Sequence, residues 1–191
     1  MDKLKRSAIL FLWITIAWNT LEGVLSILFG LQAKSLALVA YGLGSSIEIF
    51  TSVVVLMELK GLFSKKLDEQ KALHFIGLAY IFIAGYIAIE AVRNLLLHHT
   101  ADQSLSGIIL MITTACMMGG LGLIKHTLGK KLQSATVIAD AKFTLIDGVL
   151  SVIVLVGLVI NFFLPIWWID QALALLLAGI ALKEGLEELR S

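Results

Sequence analysis

Residues 35–56 and 134–155 are two copies of one pattern, and each copy sets a carboxylate inside apolar sequence. The first reads SLALVAYGLGSSIEIFTSVVVL and the second SATVIADAKFTLIDGVLSVIVL. At a constant offset of 99 residues, seven of 22 positions are identical: Ser35/Ser134, Ala40/Ala139, Ile47/Ile146, Ser52/Ser151, Val53/Val152, Val55/Val154 and Leu56/Leu155. Glu48 corresponds to Asp147. A carboxylate at the centre of a bilayer costs about 3 kcal/mol or more. Placing one twice at the same relative position points to a function.

That the setting is a bilayer follows from composition. The chain is 59% hydrophobic and 15% charged, whereas soluble domains run near one-quarter charged. Crossing the hydrocarbon takes about 20 residues, and six segments qualify: 7–31, 34–60, 72–97, 105–127, 134–163 and 166–189. The expected fold is all-α, a polytopic membrane protein of six transmembrane helices filling one domain, residues 1–191, with no soluble domain. The first span is too long, and too soon followed by another, for a cleaved signal peptide. A single cysteine, Cys116, leaves no intramolecular disulfide to form.

Lysine and arginine set the orientation. One side holds Lys3, Lys5 and Arg6, then Lys60, Lys65, Lys66 and Lys71 between spans 2 and 3. Lys125, Lys130 and Lys131 follow between spans 4 and 5, and Lys183 and Arg190 at the end. The other side has Lys34 and Arg93, and Lys142 falls within span 5. The positive-inside rule puts both termini in the cytoplasm of a multi-pass cytoplasmic membrane protein. Trp167 and Trp168 open span 6 where an aromatic interface anchor belongs. A formal net charge of +1 gives no footprint for nucleic acid.

Spans 2 and 5 lie three crossings apart and run in opposite directions, so the repeat is inverted, three helices against three, as in many transporters. Glu48 and Asp147 each stand 13 residues beyond their repeat's serine, about 20 Å along a helix. Approached from opposite faces, both fall in the middle of the membrane. Polar stripes at helical spacing accompany them: Tyr41, Ser45, Glu48 and Ser52 in span 2, and Asp140, Thr144, Asp147 and Ser151 in span 5. Span 1 adds Thr15, Asn19, Glu22 and Ser26. Two readings stand side by side. Serines and threonines commonly glue helices together, whereas acids cost more than the amides that would make the same bonds. Three stripes that each carry an acid would meet most cheaply around a hydrated cavity.

These residues resemble the membrane domain of the cation diffusion facilitator (cation efflux) family, exporters of divalent metals in exchange for protons. The family's second and fifth helices read approximately S-x-A-L-x-A-D-x-x-(H/D)-S-x-x-D and A-D-A-x-H-T-x-x-D. Ser35, Ala37, Leu38, Ala40 and Ser45 match the first, with Glu48 for its last Asp; Ala139, Asp140, Ala141, Thr144 and Asp147 match the second. The runs YIAIEAVRNLL and WWIDQALALLLAGIALKEGLEELR are similar to the third and sixth helices. Three positions depart from the pattern: Tyr41 replaces an Asp, and Gly44 and Phe143 stand where each helix would supply its first metal ligand. With no cytosolic metal-binding domain expected after span 6, the chain is similar to a short six-helix branch in which Asn19-x-x-Glu22 and Ile47-Glu48 are characteristic.

The resemblance implies a homodimeric secondary transporter with no permanently bound cofactor, in which Glu48 and Asp147 bind the metal cargo and Glu22 and Asp140 assist. Carboxylates without imidazole or thiolate suit oxygen-loving cations such as Mn²⁺ or Mg²⁺, and Zn²⁺ also accepts them. The same charges neutralised in turn by metal or by protons would couple the two. Lys142, two residues from Asp140, could instead pair with Glu22 or Glu48 and quench the site. The alternative to transport is then a binding or assembly module that keeps the fold.

Other candidates have simpler readings. Met111, Cys116, Met117 and Met118 would suit Cu(I) but also fill packing gaps. His98, His99 and Asp102 read as an outer loop, and Glu90 with Arg93 as a helix-end ion pair. Gly119, Gly120 and Gly122 suggest close helix packing. No GxSxG, HExxH or Walker motif is present, so an enzyme has no support.

Overall fold

Six helices and no strands make up the described residues of the computed structural model, which are 2–62, 66–164 and 166–189. Lys65, Pro165 and Arg190, and the side chains of Lys66, Lys71 and Glu188, lie outside them. The helices are α1 (Asp2–Ala33), α2 (Leu36–Leu59), α3 (Lys66–Leu96), α4 (Leu105–Leu132), α5 (Ala135–Phe163) and α6 (Ile169–Glu188). Five of them, α1 to α5, are long and apolar enough to cross a membrane. The 20 residues of α6 give it about 30 Å of length, but Asp170, Lys183, Glu184 and Glu187 make it more polar. A band of large apolar side chains faces outward, including Leu31, Phe82, Ile89, Leu123 and Phe163. This is a polytopic all-α membrane protein.

The helices pack as α1 with α2, α4 with α5 and α3 with α6, the arrangement an inverted three-helix repeat requires. The repeat extends beyond the segments in which it is obvious. Lys34 (φ 51°) and Gln133 (φ 52°), again 99 residues apart, both end their helices in the left-handed conformation. Ser35 N–H then bonds to Gly30 C=O at 2.8 Å, and Ser134 N–H to Gly129 C=O at 3.1 Å. Each serine caps the following helix, Ser35 Oγ accepting from Leu38 N–H and Ser134 Oγ from Val137 N–H. A Cβ on Gly30 would lie 2.8 Å from Val39 N, and one on Gly129 3.0 Å from Ile138 N. Only glycine lets the chain double back this tightly.

At the loop end remote from the termini, α6 is tied to α2. Asp170 Oδ1 accepts from Ser35 Oγ at 2.5 Å, and Oδ2 accepts from Leu36 N–H at 2.7 Å. An acid thus meets free amides of a helix N-terminus, where the dipole favours it. Lys34–Asp102 at 3.2 Å and the His98–Trp167 ring contact lie at the same end. The loop reading of these histidines and Asp102 is what the structure shows.

The core holds an apolar cluster around Leu38, Ile87, Met111, Val154 and Ala178, and Met118 is likewise buried. Cys116 is exposed. Gly122 packs on Leu145, whereas Gly119 and Gly120 have open space beside them. Glu90 and Arg93 pair at 3.3 Å.

Candidate functional site

The three polar stripes are interior. Thr15, Asn19, Glu22 and Ser26 of α1 are fully buried, as are Ser45 and Ser52 of α2 and Thr144 and Ser151 of α5. Their spacing of three to four residues holds each set on one helix face, and the packing of α1, α2, α4 and α5 turns those faces toward one another.

Glu22 is the most heavily bonded acid. Its Oε2 accepts from Trp18 Nε1 at 2.7 Å and Thr114 Oγ1 at 2.8 Å, and its Oε1 accepts from Ser45 Oγ at 3.1 Å. Donors from α1, α4 and α2 therefore converge on one carboxylate. One turn away, Asn19 Nδ2 donates to Glu48 Oε2 at 3.1 Å. Each acid of the α1–α2 pair is thus met by a neutral donor from the other helix.

Glu48 and Asp147 come together as their places in the repeat require. Both line a cavity of about 60 Å³ between α2, α3, α5 and α6, large enough for a few water molecules. Asp147 is 4% exposed and its Oδ2 makes no close hydrogen bond among the described residues. Tyr41, on the same cavity, is 3% exposed with its hydroxyl equally without one. The two groups neighbour and act on each other, and Glu22 reaches Asp147 as well. None of these contacts is a close hydrogen bond, and because buried polar atoms are nearly always satisfied, this loosely bonded group marks a place where something polar can bind. Gly44 and Phe143 line it too. The positions that depart from the motif therefore do face the site.

Asp140 is elsewhere. It does not line the cavity; its Oδ2 meets Lys125 Nζ at 2.6 Å and its Oδ1 accepts from Ser52 Oγ at 2.8 Å. Lys125 also donates to Thr144 Oγ1 at 2.6 Å and is 1% exposed. This overturns two expectations. Lys125 does not belong with the exposed basic residues of a connection between spans: it lies within α4, which continues to Leu132, and unlike Lys130 and Lys131 it is buried. Nor is Lys142 the internal cation, since it is exposed on α5. The buried positive charge comes from α4, and it neutralises Asp140 rather than Glu22 or Glu48.

The repeat makes this ion pair one-sided. The positions 99 residues before Lys125, Asp140 and Thr144 hold Ser26, Tyr41 and Ser45. Thr144 and Ser45 preserve the symmetry, donating to the backbone carbonyls of Asp140 and Tyr41. The charges do not recur. Where the other half holds a salt bridge, Ser26 Oγ and Tyr41 OH make no close hydrogen bond, and Tyr41 is turned to Asp147.

Sequence reasoning missed Lys125, Thr114 and Trp18. Thr114 was detectable, because it stands 99 residues beyond Thr15. No group of three His, Cys, Asp or Glu side chains close enough to hold a metal occurs among the described residues. Glu48 and Asp147 bring two carboxylates to the middle of the cavity and Glu184 lines it toward the end of α6, and further ligands there would have to be water or a tyrosine hydroxyl.

Comparison with known proteins bears on what such a cavity does. Residues 12–191 match the cation efflux transmembrane domain family. An uncharacterized transporter of Methanocaldococcus jannaschii is 31% identical over 163 residues, which is 78% of this chain and 56% of that protein. An uncharacterized transporter of Synechocystis is 34% identical over 98 residues, 51% of this chain and 32% of that protein. The chain thus spans about half the length of one relative and a third of the other.

Proposed function

The chain belongs to the cation efflux family, and on that premise we propose that it exports a divalent cation, Zn²⁺ or Mn²⁺, across the cytoplasmic membrane in exchange for protons. Glu48 and Asp147 bind the ion, with Glu22 supporting them through the α1–α2 contacts. The observation that carries this reading is the buried Asp147 Oδ2, without a close hydrogen bond, on the same cavity as Glu48. Two carboxylates can be neutralised by one divalent ion or by two protons, which is the physical basis for exchange. The inverted repeat would supply the means of alternating access, and the excess of basic residues supports cytoplasmic termini. Homodimers are expected from family membership.

The reading is tested in purified, reconstituted vesicles. An imposed pH gradient is expected to drive Zn²⁺ or Mn²⁺ against its concentration gradient, and a protonophore to abolish that accumulation. A second reading, a membrane binding or assembly module, is favoured by Gly44 and Phe143 at ligand positions and by the engagement of Asp140 with Lys125. Absence of flux together with absence of any metal-dependent thermal shift would establish it instead.

Gly44 offers a gain-of-ligand prediction. A Cβ built there meets no heavy atom within 4 Å, and the position lines the cavity one turn from Glu48. Gly44→Asp is expected to fold like the parent and to bind Mn²⁺ at least tenfold more tightly, measured by calorimetry in detergent. Unchanged affinity would mean that residue 44 does not reach the ion.

A further inference from the structure

The cavity that holds Glu48 and Asp147 has a third carboxylate, Glu184 of α6. It belongs to a stripe, Leu177, Ile180, Ala181 and Glu184, whose spacing presents one face of α6 to the cavity. Glu48 sits midway along α2, whereas Glu184 sits one turn from the end of α6. Both helices run toward the face that carries the termini, so Glu184 marks the cavity's end on that face. No Lys, Arg or His is among the described residues lining the cavity. The adjacent Lys183 is turned to Glu187, at 3.6 Å, on the exposed side of α6. No described cation therefore stands on the cavity's walls, and Lys125, held by Asp140, acts on Glu48 and Asp147 from outside it. Asp147 Oδ2 and the Tyr41 hydroxyl at its deep end, buried beside each other without a close hydrogen bond, indicate that something polar binds there.

We propose that Glu184 is the loading carboxylate of this cavity: it draws a divalent cation in from the termini face and passes it to Glu48 and Asp147. The inference rests on the cation-transport reading above and adds to it a residue and a side. A charge at the mouth of a low-dielectric cleft raises local cation concentration and capture rate by tenfold or more, without taking part in the final coordination. Its loss should therefore be felt at low metal and disappear at saturation.

The test uses the full chain in oriented vesicles, with Mn²⁺ as the probe. Glu184→Gln is expected to raise the half-saturating Mn²⁺ concentration about tenfold when metal is supplied on the termini face. The maximal rate and melting temperature should stay at parental values, and half-saturation from the opposite face should not move. Glu184→Asp is expected to restore most of the loss. A parental half-saturating concentration overturns the proposal, as does a lowered maximal rate with half-saturation unchanged. A Glu48→Gln/Asp147→Asn protein run alongside separates the two readings. If that protein is inactive while Glu184→Gln behaves like the parent, only the loading role fails; if it transports normally, the cavity site itself fails.

Discussion

Replacing Lys125 with methionine is expected to destabilise the protein by about 3–5 kcal/mol, the usual cost of leaving one member of a buried ion pair without its partner. Lys125 Nζ lies 2.6 Å from Asp140 Oδ2 in a setting where Lys125 is 1% and Asp140 2% exposed. Methionine keeps most of the side-chain volume, so the packing loss is small and the unpaired Asp140 carries the cost. In detergent the melting temperature should fall by about 10 °C. Lys125→Met combined with Asp140→Asn should recover at least half of the loss. The amide can still accept from Ser52, and no lone charge remains. A cycle built from these variants isolates the pair's coupling. A Lys125→Met protein that melts with the parent would show that Asp140 finds other compensation.

The second large effect is on transport. Glu48→Gln with Asp147→Asn keeps shape and hydrogen-bonding capacity but removes both negative charges from the cavity. Losing outer partners of a metal ligand already costs 10–100-fold, so losing both ligands is expected to reduce Zn²⁺ or Mn²⁺ flux more than 100-fold. Thermal stability should hold or rise, because two buried charges are no longer confined. The two measurements together separate a binding site from a structural one. Loss of flux with retained stability supports the metal site, whereas collapse of the fold would make the acids structural.

Much of this architecture is legible in the sequence because the bilayer leaves a chain few choices. A backbone in hydrocarbon must satisfy its own polar groups, so apolar runs of about 20 residues become helices. The cap serines Ser35 and Ser134 then fix where α2 and α5 begin. The meeting of Glu48 and Asp147 on one cavity follows from an offset that can be counted. The partner of Asp140 could not be counted. Close to Lys130 and Lys131, Lys125 reads as part of the basic connection between spans 4 and 5, and only the packing of α4 on α5 reveals Asp140 within its reach. Glu184 was hidden differently. It stands in a charged run, Lys183 to Glu187, that looks like a solvated helix end until the turn of α6 places one member on the cavity.

The neutral Lys125–Asp140 pair has an electrical consequence. A membrane potential acts on whatever net charge moves through its field, at about 2.3 kcal/mol per elementary charge per 100 mV. Lys125 and Asp140 cancel, so they contribute nothing when their helices shift. On the proposed exchange, Glu48 and Asp147 carry two protons one way and one divalent ion the other, and are neutral in both. A transporter built like this turns over without sensing voltage, and works on concentration differences alone.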